Sequence, residues 1–119
     1  MIDRLISRIN AVLPLEVMRI EVNDPFLSLV GENWSLALNC PWTLETPDET
    51  IPWESDLLDI EAEKLVGLSM EAASKGRSDA SDLIFYFTSG FTIHVFPDTD
   101  LDPWVMRLPD VVLIGRKSP

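Results

Sequence analysis

The chain has 119 residues, of which 46% are hydrophobic, and twenty Asp or Glu against nine Lys or Arg give a net charge of −11. This length supports one core and is too short for two, so we expect a single domain over residues 1–119. The negative charge argues against a nucleic-acid or anionic-membrane partner, because both partners are polyanions and would be repelled. No apolar run is long enough to span a membrane and no export signal is visible. Because the lone Cys40 also fits a reducing interior, we expect a cytoplasmic protein.

The first predicted element is an amphipathic helix over residues 2–13. Its apolar residues recur at helical spacing, whereas Arg4 and Arg8 fall on the other side. Pro14 is expected to end this helix, because the residue before a proline avoids helical dihedral angles.

From residue 15 the pattern changes to a period of two, which predicts a strand. Met18, Ile20 and Val22 form its apolar face, and residues 23–25 have the composition of a turn. Two further strands are predicted at residues 26–30 and 34–39.

The loop between these two strands, Gly31-Glu32-Asn33, suits a short hairpin connection. In the second strand Trp34, Leu36, Leu38 and Cys40 share one face. A strand that continues through Pro41 into residues 42–44 must lie at a sheet edge or contain a bulge, because proline has no amide hydrogen to donate.

The segment of residues 45–63 contains eight carboxylates and no Lys or Arg. Its first half, residues 45–54, has two prolines and no sustained period, which predicts an exposed loop. Its second half predicts a short helix that Ser55 or Asp56 caps and Gly67 closes.

After Gly67 the pattern is that of a β-meander. A strand over residues 68–73 has Leu68, Met70 and Ala72 on one face, and a polar turn follows at residues 75–79.

Strands at residues 82–88 and 91–96 flank Ser89-Gly90, which predicts a two-residue hairpin connection. That connection pairs Tyr86 with Ile93 and Phe85 with His94, which puts Tyr86 and His94 on opposite faces. Both faces would then be apolar, so this hairpin is expected at the centre of the sheet.

Two last strands are predicted at residues 104–108 and 111–115, joined by a turn at Pro109-Asp110, and the polar tail 116–119 is expected to be loose. The predicted fold class is α+β. It consists of a mainly antiparallel sheet of about seven to eight short strands, the N-terminal helix and one further short helix, since no βαβ alternation recurs.

Residues that could carry enzyme chemistry are few. The chain has no glycine-rich phosphate loop, no Gly-x-Ser-x-Gly elbow and no His-Glu-x-x-His. A nucleophile pair would need Cys40 and His94 within hydrogen-bonding distance, but Cys40 shares its face with tryptophan and leucines and is expected to be a core residue.

The acidic residues at 98–102 alternate as in a calcium-binding loop. However, Pro103 and Pro109 stand where that loop needs Gly and a bidentate Glu. We therefore expect no metal and no cofactor.

Trp53 lies inside the acidic segment. An aromatic anchor among charges that steer the partner is typical of a docking surface. The alternative is that Ile51 and Trp53 fold back and plug the end of the sheet. The predicted partner-binding residues are Asp48, Glu49, Trp53, Glu54, Asp56 and Asp59.

Several stretches together resemble a family of small uncharacterised bacterial proteins, over about residues 30–115. They are Trp34-Ser-Leu36-Ala-Leu38, Cys40-Pro41-Trp42-Thr-Leu44, Leu65-Val-Gly67, Asp82-Leu83-Ile84-Phe85-Tyr-Phe87-Thr-Ser-Gly90, Val95-Phe96-Pro97-Asp98 and Trp104. Members of such families are sometimes found beside bacterial toxin genes. The resemblance therefore implies an immunity-like or antitoxin-like binding role and no catalytic residue.

The leading hypothesis is a non-enzymatic protein that docks on a basic protein partner, such as a toxin, through residues 45–63. One alternative is a small ligand-binding protein or hydrolase with a pocket around His94 and Tyr86. Another is an obligate homodimer that pairs edge strands near Pro41. The sequence leaves open whether the protein is a monomer or a homodimer.

Overall fold

The computed structural model describes residues 2–23, 26–40, 42–52, 60, 62–75, 83–95 and 104–115, with the backbone alone at residues 2, 3, 23, 26 and 115. Its elements over these residues include the α-helix α1 (Ile2–Asn10) and eleven strands in two antiparallel sheets. The strands are β1 (Leu15–Glu16), β2 (Arg19–Asn23), β3 (Phe26–Val30), β4 (Ser35–Leu38), β5 (Trp42–Glu45), β6 (Thr50–Pro52), β7 (Ser69–Lys75), β8 (Leu83–Phe87), β9 (Thr92–Val95), β10 (Trp104–Leu108) and β11 (Val111–Gly115). The mainly antiparallel sheet with a helix is confirmed, but there are more strands than the sequence predicted.

The two sheets pack face to face as a sandwich. The wide sheet has the strand order β1-β7-β8-β9-β5-β6, and the narrow sheet has the order β11-β10-β4-β3-β2. Phe85 of the wide sheet and Trp104 of the narrow sheet meet edge to face, with ring centroids 6.1 Å apart and an interplanar angle of 88°. Alternate residues of the strands from both sheets are buried between them, as in other sandwiches.

Four strands agree closely with the sequence prediction. β3, β10 and β11 have the predicted bounds, and β4 lies within the predicted strand. The face formed by Trp34, Leu36, Leu38 and Cys40 is buried, as expected. These segments combine strict alternation with short turns, so local pattern and tertiary pairing agree.

The predicted strand from residue 15 to residue 22 is in fact two strands. β1 pairs with β7 in the wide sheet and β2 pairs with β3 in the narrow sheet, so the chain crosses between the sheets at Val17 and Met18. At this crossover Val17 is buried and Met18 is 56% exposed, the reverse of the predicted alternation. Ile20 and Val22 are half-buried, in agreement with their predicted face.

The prediction that the strand after Pro41 lies at an edge or contains a bulge is wrong. β4 belongs to the narrow sheet, whereas β5 lies between β9 and β6 in the wide sheet. β4 and β5 are therefore separate strands, and the chain changes sheets between Leu38 and Trp42. Pro41 itself lies outside the described residues.

The predicted exposed loop at residues 45–54 is also wrong over the part that the structure describes. β5 and β6 form a hairpin, with Ile51 buried opposite Leu44. The sequence signal misleads because Pro47 lies in the turn and Pro52 on an edge strand, two places where proline is tolerated.

The described residues cover only the C-terminal end of the short helix that is predicted before Gly67, and that end is helical. Ile60 and Ala62 are helical, and a 3-10 turn follows at Glu63–Leu65. Gly67 has a φ of 92°, which favours glycine and ends the turn. The predicted caps at residues 55 and 56 lie outside the described residues, as do the turn at 75–79 beyond Lys75, the tail at 116–119 and residues 24–25.

β7 contains a β-bulge that the sequence does not predict. Its pairing with β8 shifts between Met70 and Ala72, and beyond that point Ala73 rather than Ala72 is buried. The extra residue of a bulge reverses the alternation of the residues that follow.

The hairpin of β8 and β9 has a register one residue away from the predicted one. The connection is a three-residue 3-10 turn, Thr88–Gly90, so Phe85 pairs with Ile93 and Tyr86 with Thr92. A one-residue slip moves one strand's side chains to the other face. The apolar residues therefore share the inner face, and the prediction of two apolar faces is wrong. The central position of this hairpin in its sheet is confirmed.

Asn10 attaches the end of α1 to the open edge of β7. The helix ends at Asn10, before the predicted boundary at Pro14. Asn10 Nδ2 donates to the Ala73 carbonyl oxygen at 3.0 Å, and Asn10 Oδ1 accepts from the Ala73 backbone N–H at 3.1 Å. β1 pairs only with Ser69 and Met70, so this amide takes the place of a strand partner farther along the edge.

Asn10→Ala is expected to lower the free energy of unfolding by about 1–3 kcal/mol, because it removes two hydrogen bonds from the peptide group of Ala73. Asn10→Asp retains the acceptor but turns a carboxylate oxygen toward the Ala73 carbonyl oxygen, so it should not restore the lost stability. Urea denaturation followed by circular dichroism measures both. Arg8→Ala, at an exposed position of the same helix, should change the value by no more than about 0.5 kcal/mol. An Asn10→Ala effect no larger than that of Arg8→Ala would show that the contact with Ala73 does not stabilise the fold.

Candidate functional site

Several turns of the wide sheet meet at one end of the sandwich. Ser69 pairs with Glu16, and its backbone N–H donates to Thr88 Oγ1 at 3.1 Å. A Cβ placed on Gly90 would lie 3.2 Å from Pro47 Cγ, so the turn between β8 and β9 adjoins the turn between β5 and β6.

Turns of the narrow sheet lie at the same end. Trp34 Nε1 donates to the carbonyl oxygen of Glu16 at 3.0 Å, which joins the loop between β3 and β4 to the wide sheet. The turn between β10 and β11 lies beside that loop, because Arg107 pairs with Ser35. We call this part of the molecule, formed by residues 14–18, 31–34, 46–49, 67–69, 88–90 and 109–110, the acidic end.

The acidic end carries exposed carboxylates from four separate parts of the chain. They are Glu16, Glu32, Asp48, Glu49 and Asp110. Within the part of the chain that the structure describes, none of these carboxylates forms an ion pair, whereas the neighbouring Arg19 is paired with Glu21 at 3.2 Å. Their charges are therefore available to a partner.

Hydrogen bonds within the turn at residues 46–49 fix the backbone that carries Asp48 and Glu49. Thr46 Oγ1 accepts from the backbone N–H groups of Asp48 and Glu49, at 3.2 and 3.1 Å. The N–H of Thr46 donates to the Glu49 carbonyl oxygen at 2.8 Å. A turn closed by these three bonds presents its charges in a defined place.

The structure describes two of the six predicted partner-binding residues. Asp48 and Glu49 are exposed at the acidic end, and their role in partner binding stays a prediction. Trp53, Glu54, Asp56 and Asp59 lie outside the described residues.

Sequence reasoning missed Glu16, Glu32 and Asp110. Each lies in a predicted turn or beside a point where the chain changes direction. In an antiparallel sheet the turns of neighbouring hairpins lie side by side. This rule is the sequence signal that points to these three residues.

A cleft of about 210 Å³ opens at the acidic end, between the crossover from β1 to β2 and the loop from β3 to β4. Its lining residues are Pro14, Leu15, Glu16, Met18, Glu32, Asn33 and Trp34. The side chain of Met18 is 56% exposed, whereas that of Trp34 is 6% exposed. The cleft is thus lined by both apolar and polar residues.

His94 and Tyr86, the residues of the alternative pocket, lie on the outer face of the wide sheet. The observed register places them on the same face as diagonal neighbours, since His94 pairs with Ile84 and Tyr86 with Thr92. The hydroxyl of Thr92 donates to Glu45 Oε2 at 3.2 Å. The cleft described above lies elsewhere, and a ligand site on this polar face stays a prediction.

Cys40 is buried in the core between the sheets, as predicted, and so lies on the other side of the wide sheet from the outer-facing His94. The residues at 98–102 lie outside the described part of the chain. Within the described part, no group of three His, Cys, Asp or Glu side chains is placed to hold a metal ion.

These features define a small antiparallel β-sandwich protein with an acidic end. In the described residues no helix has the length and apolar character needed to cross a membrane. Comparisons of the chain with protein-family models, with curated proteins and with solved structures found no match.

Proposed function

We propose that this protein is a non-enzymatic cytoplasmic binding module of the immunity or antitoxin type, which docks on a basic protein partner through its acidic end. The observation that supports the proposal best is the collection of exposed carboxylates from four chain segments, without ion pairs among the described residues. Carboxylates spread for solubility alone would not need to gather from distant parts of the sequence.

The physical role of such a surface is to accelerate encounter. Charges of one sign attract an oppositely charged partner over roughly 8 Å at physiological salt, and they favour one orientation of approach. The closed turn at residues 46–49 helps, because a rigid surface loses little conformational entropy on binding.

The salt dependence of binding tests the proposal. The partner is first isolated with the tagged protein, and the association rate of the purified pair is then measured by stopped-flow. We expect the rate constant to fall at least about ten-fold between about 50 and about 500 mM salt. Glu49→Lys should slow association at low salt, whereas Glu21→Lys, the same charge change on a strand away from the turns, should have a smaller effect. An association rate that is equal at both salt concentrations would exclude the proposed steering, as would equal effects of the two variants.

A further inference from the structure

We propose that a second copy of this chain pairs with β2 (Arg19–Asn23), an outer strand of the narrow sheet, and forms a two-fold symmetric dimer. The β2 strands of the two copies run antiparallel, with Ile20 of one copy opposite Ile20 of the other. This dimer goes beyond the proposed function and does not depend on it, because it uses a sheet edge and not the acidic end.

The other outer strands of the two sheets are protected from such pairing. β1 has two residues, and Asn10 takes the place of a strand partner farther along that edge. β6 has three residues and contains Pro52, which has no amide hydrogen to donate. β11 lies beside α1. Short edges, prolines and covering elements are the usual means by which proteins prevent their strands from pairing with another molecule.

β2 has none of these protections among the described residues. It has five residues without proline or lysine, and it pairs with β3 along one side only. The 3-10 turn Glu63–Leu65 lies near β2 but forms no strand ladder with it. An edge of this kind offers unpaired N–H and C=O groups to another strand.

The side chains of β2 divide into an apolar and a charged set. Ile20 pairs with the buried Leu29, so Ile20 and Val22 belong to the inner face of the narrow sheet, where they are half-buried. Arg19 and Glu21 lie on the outer face, and their side chains are 65% and 53% exposed. The two charges on either side of Ile20 are therefore opposite in sign.

This order of residues is complementary to itself. When two β2 strands pair antiparallel about Ile20, Arg19 of each copy lies directly opposite Glu21 of the other. The dimer thus gains two pairs of opposite charge on the outer face and a contact between two Ile20 side chains on the inner face. Directly opposed residues of these types stabilise an antiparallel pair.

Other registers lack this match. Residues paired across two strands share a face, so the register moves only in steps that keep charged residues opposite outer-face residues. Centring the pair on Arg19 or on Glu21 puts like charges directly opposite each other, which is unfavourable. Centring it on Val22 puts neither charge opposite a charge of the other sign. Charge complementarity therefore selects the register about Ile20.

The exchange of ion-pair partners costs little. In the single chain Arg19 and Glu21 form an ion pair of 3.2 Å on the solvent side of the strand. Exposed ion pairs contribute little to stability. In the dimer each of the two groups has its partner directly across the strand.

The antiparallel arrangement also limits the repulsion between two chains that each have a net charge of −11. β2 begins next to residues 14–18 of the acidic end. Because the two β2 strands run in opposite directions, the two acidic ends lie at opposite ends of the dimer. Exposed charges farther apart than roughly 8 Å are largely screened at physiological salt.

Sedimentation velocity on the whole chain at physiological salt measures the dimer. One pair of short strands makes a small interface, so we expect a reversible dimer with a dissociation constant on the order of 100 µM. The sedimenting mass should rise from 13.4 kDa toward that of a dimer between about 10 and about 500 µM. A monomer at every concentration in this range would overturn the proposal.

Charge reversal identifies the edge and the register. Glu21→Arg and Arg19→Glu should each weaken self-association at least about ten-fold, because each places like charges opposite each other twice in the dimer. An equimolar mixture of the two variants should dimerise within about three-fold of the parent protein, because both cross-strand pairs are then of opposite charge. Loss of the ion pair within a chain cannot explain this recovery, since both chains of the mixture still lack it.

The matched controls are Glu71→Arg and Arg107→Glu, the same changes at exposed positions of β7 and β10, which lie inside the two sheets. Each control, and their mixture, should dimerise within about three-fold of the parent protein, because distant exposed charges are screened. The proposal is overturned if Glu21→Arg and Arg19→Glu behave like these controls. It is also overturned if the mixture of those two variants dimerises no better than either does alone.

These results are separable from the test of the proposed function. Stopped-flow association is measured at about 1 µM, far below the expected dissociation constant of the dimer, so the monomer is the reacting species. Recovery of the dimer in the mixture, with a partner that ignores salt and Glu49, would support the β2 edge and overturn the docking proposal. Failure of the mixture, with salt-dependent partner association, would have the reverse meaning.

Discussion

Trp104→Ala is expected to lower the free energy of unfolding by about 3–5 kcal/mol, the largest single effect predicted for this protein. Trp104 is 1% exposed, and its ring packs edge to face on Phe85 across the two sheets. Truncation leaves a cavity where the sheets meet, and the facing strands are too constrained by their neighbours to close it. Urea denaturation followed by far-ultraviolet circular dichroism measures the loss.

Two further variants show whether the effect comes from the contact between the sheets. Val112→Ala, at a 47% exposed position of β11, should stay within about 0.5 kcal/mol of the parent protein. A double-mutant cycle of Trp104→Ala with Phe85→Ala should give a coupling energy of about 0.5–1.5 kcal/mol. A Trp104→Ala loss below about 1 kcal/mol would mean that this ring does not hold the sheets together.

Gly31→Ala is expected to destabilise the fold by about 2–4 kcal/mol. An added Cβ would lie 1.8 Å from Trp34 Nε1, so the indole must move away and its hydrogen bond to the Glu16 carbonyl oxygen is lost. Urea denaturation followed by circular dichroism measures the loss.

Gly67→Ala is the matched control for this substitution. Gly67 has a φ of 92° with no atom within 4 Å of an added Cβ, so its substitution introduces backbone strain without crowding, at a cost of about 1–2 kcal/mol. A Gly31→Ala protein that loses no more stability than Gly67→Ala would contradict the described position of Trp34.

The parts of the fold that the sequence predicted correctly are those in which neighbouring residues decide the outcome. β3, β10 and β11 were predicted with their bounds because alternating residues are bounded by short polar turns. The short helix before Gly67 ends as predicted, because Gly67 has a positive φ, which glycine adopts without a steric cost.

The wrong predictions concern features that residues close in sequence do not determine. The turn Thr88–Gly90 has Ser89 at a φ of 64°, which a non-glycine residue rarely adopts and no local pattern indicates. That turn sets the register and so places His94 and Tyr86 on one face. The change of sheet between Leu38 and Trp42 likewise depends on which distant strand is available as a partner.

The sequence by itself determined that this protein is acidic, that it has a β-rich core and which strand residues alternate, because charge and periodicity are properties of the chain. Only the tertiary structure decided where the charge lies. Glu16, Glu32, Asp48 and Asp110 are far apart in the chain, and they meet because the turns of two facing antiparallel sheets are collected at one end. Strand pairing over long distances in sequence makes that choice, since each hydrogen-bond register depends on the partner strand as much as on the strand itself.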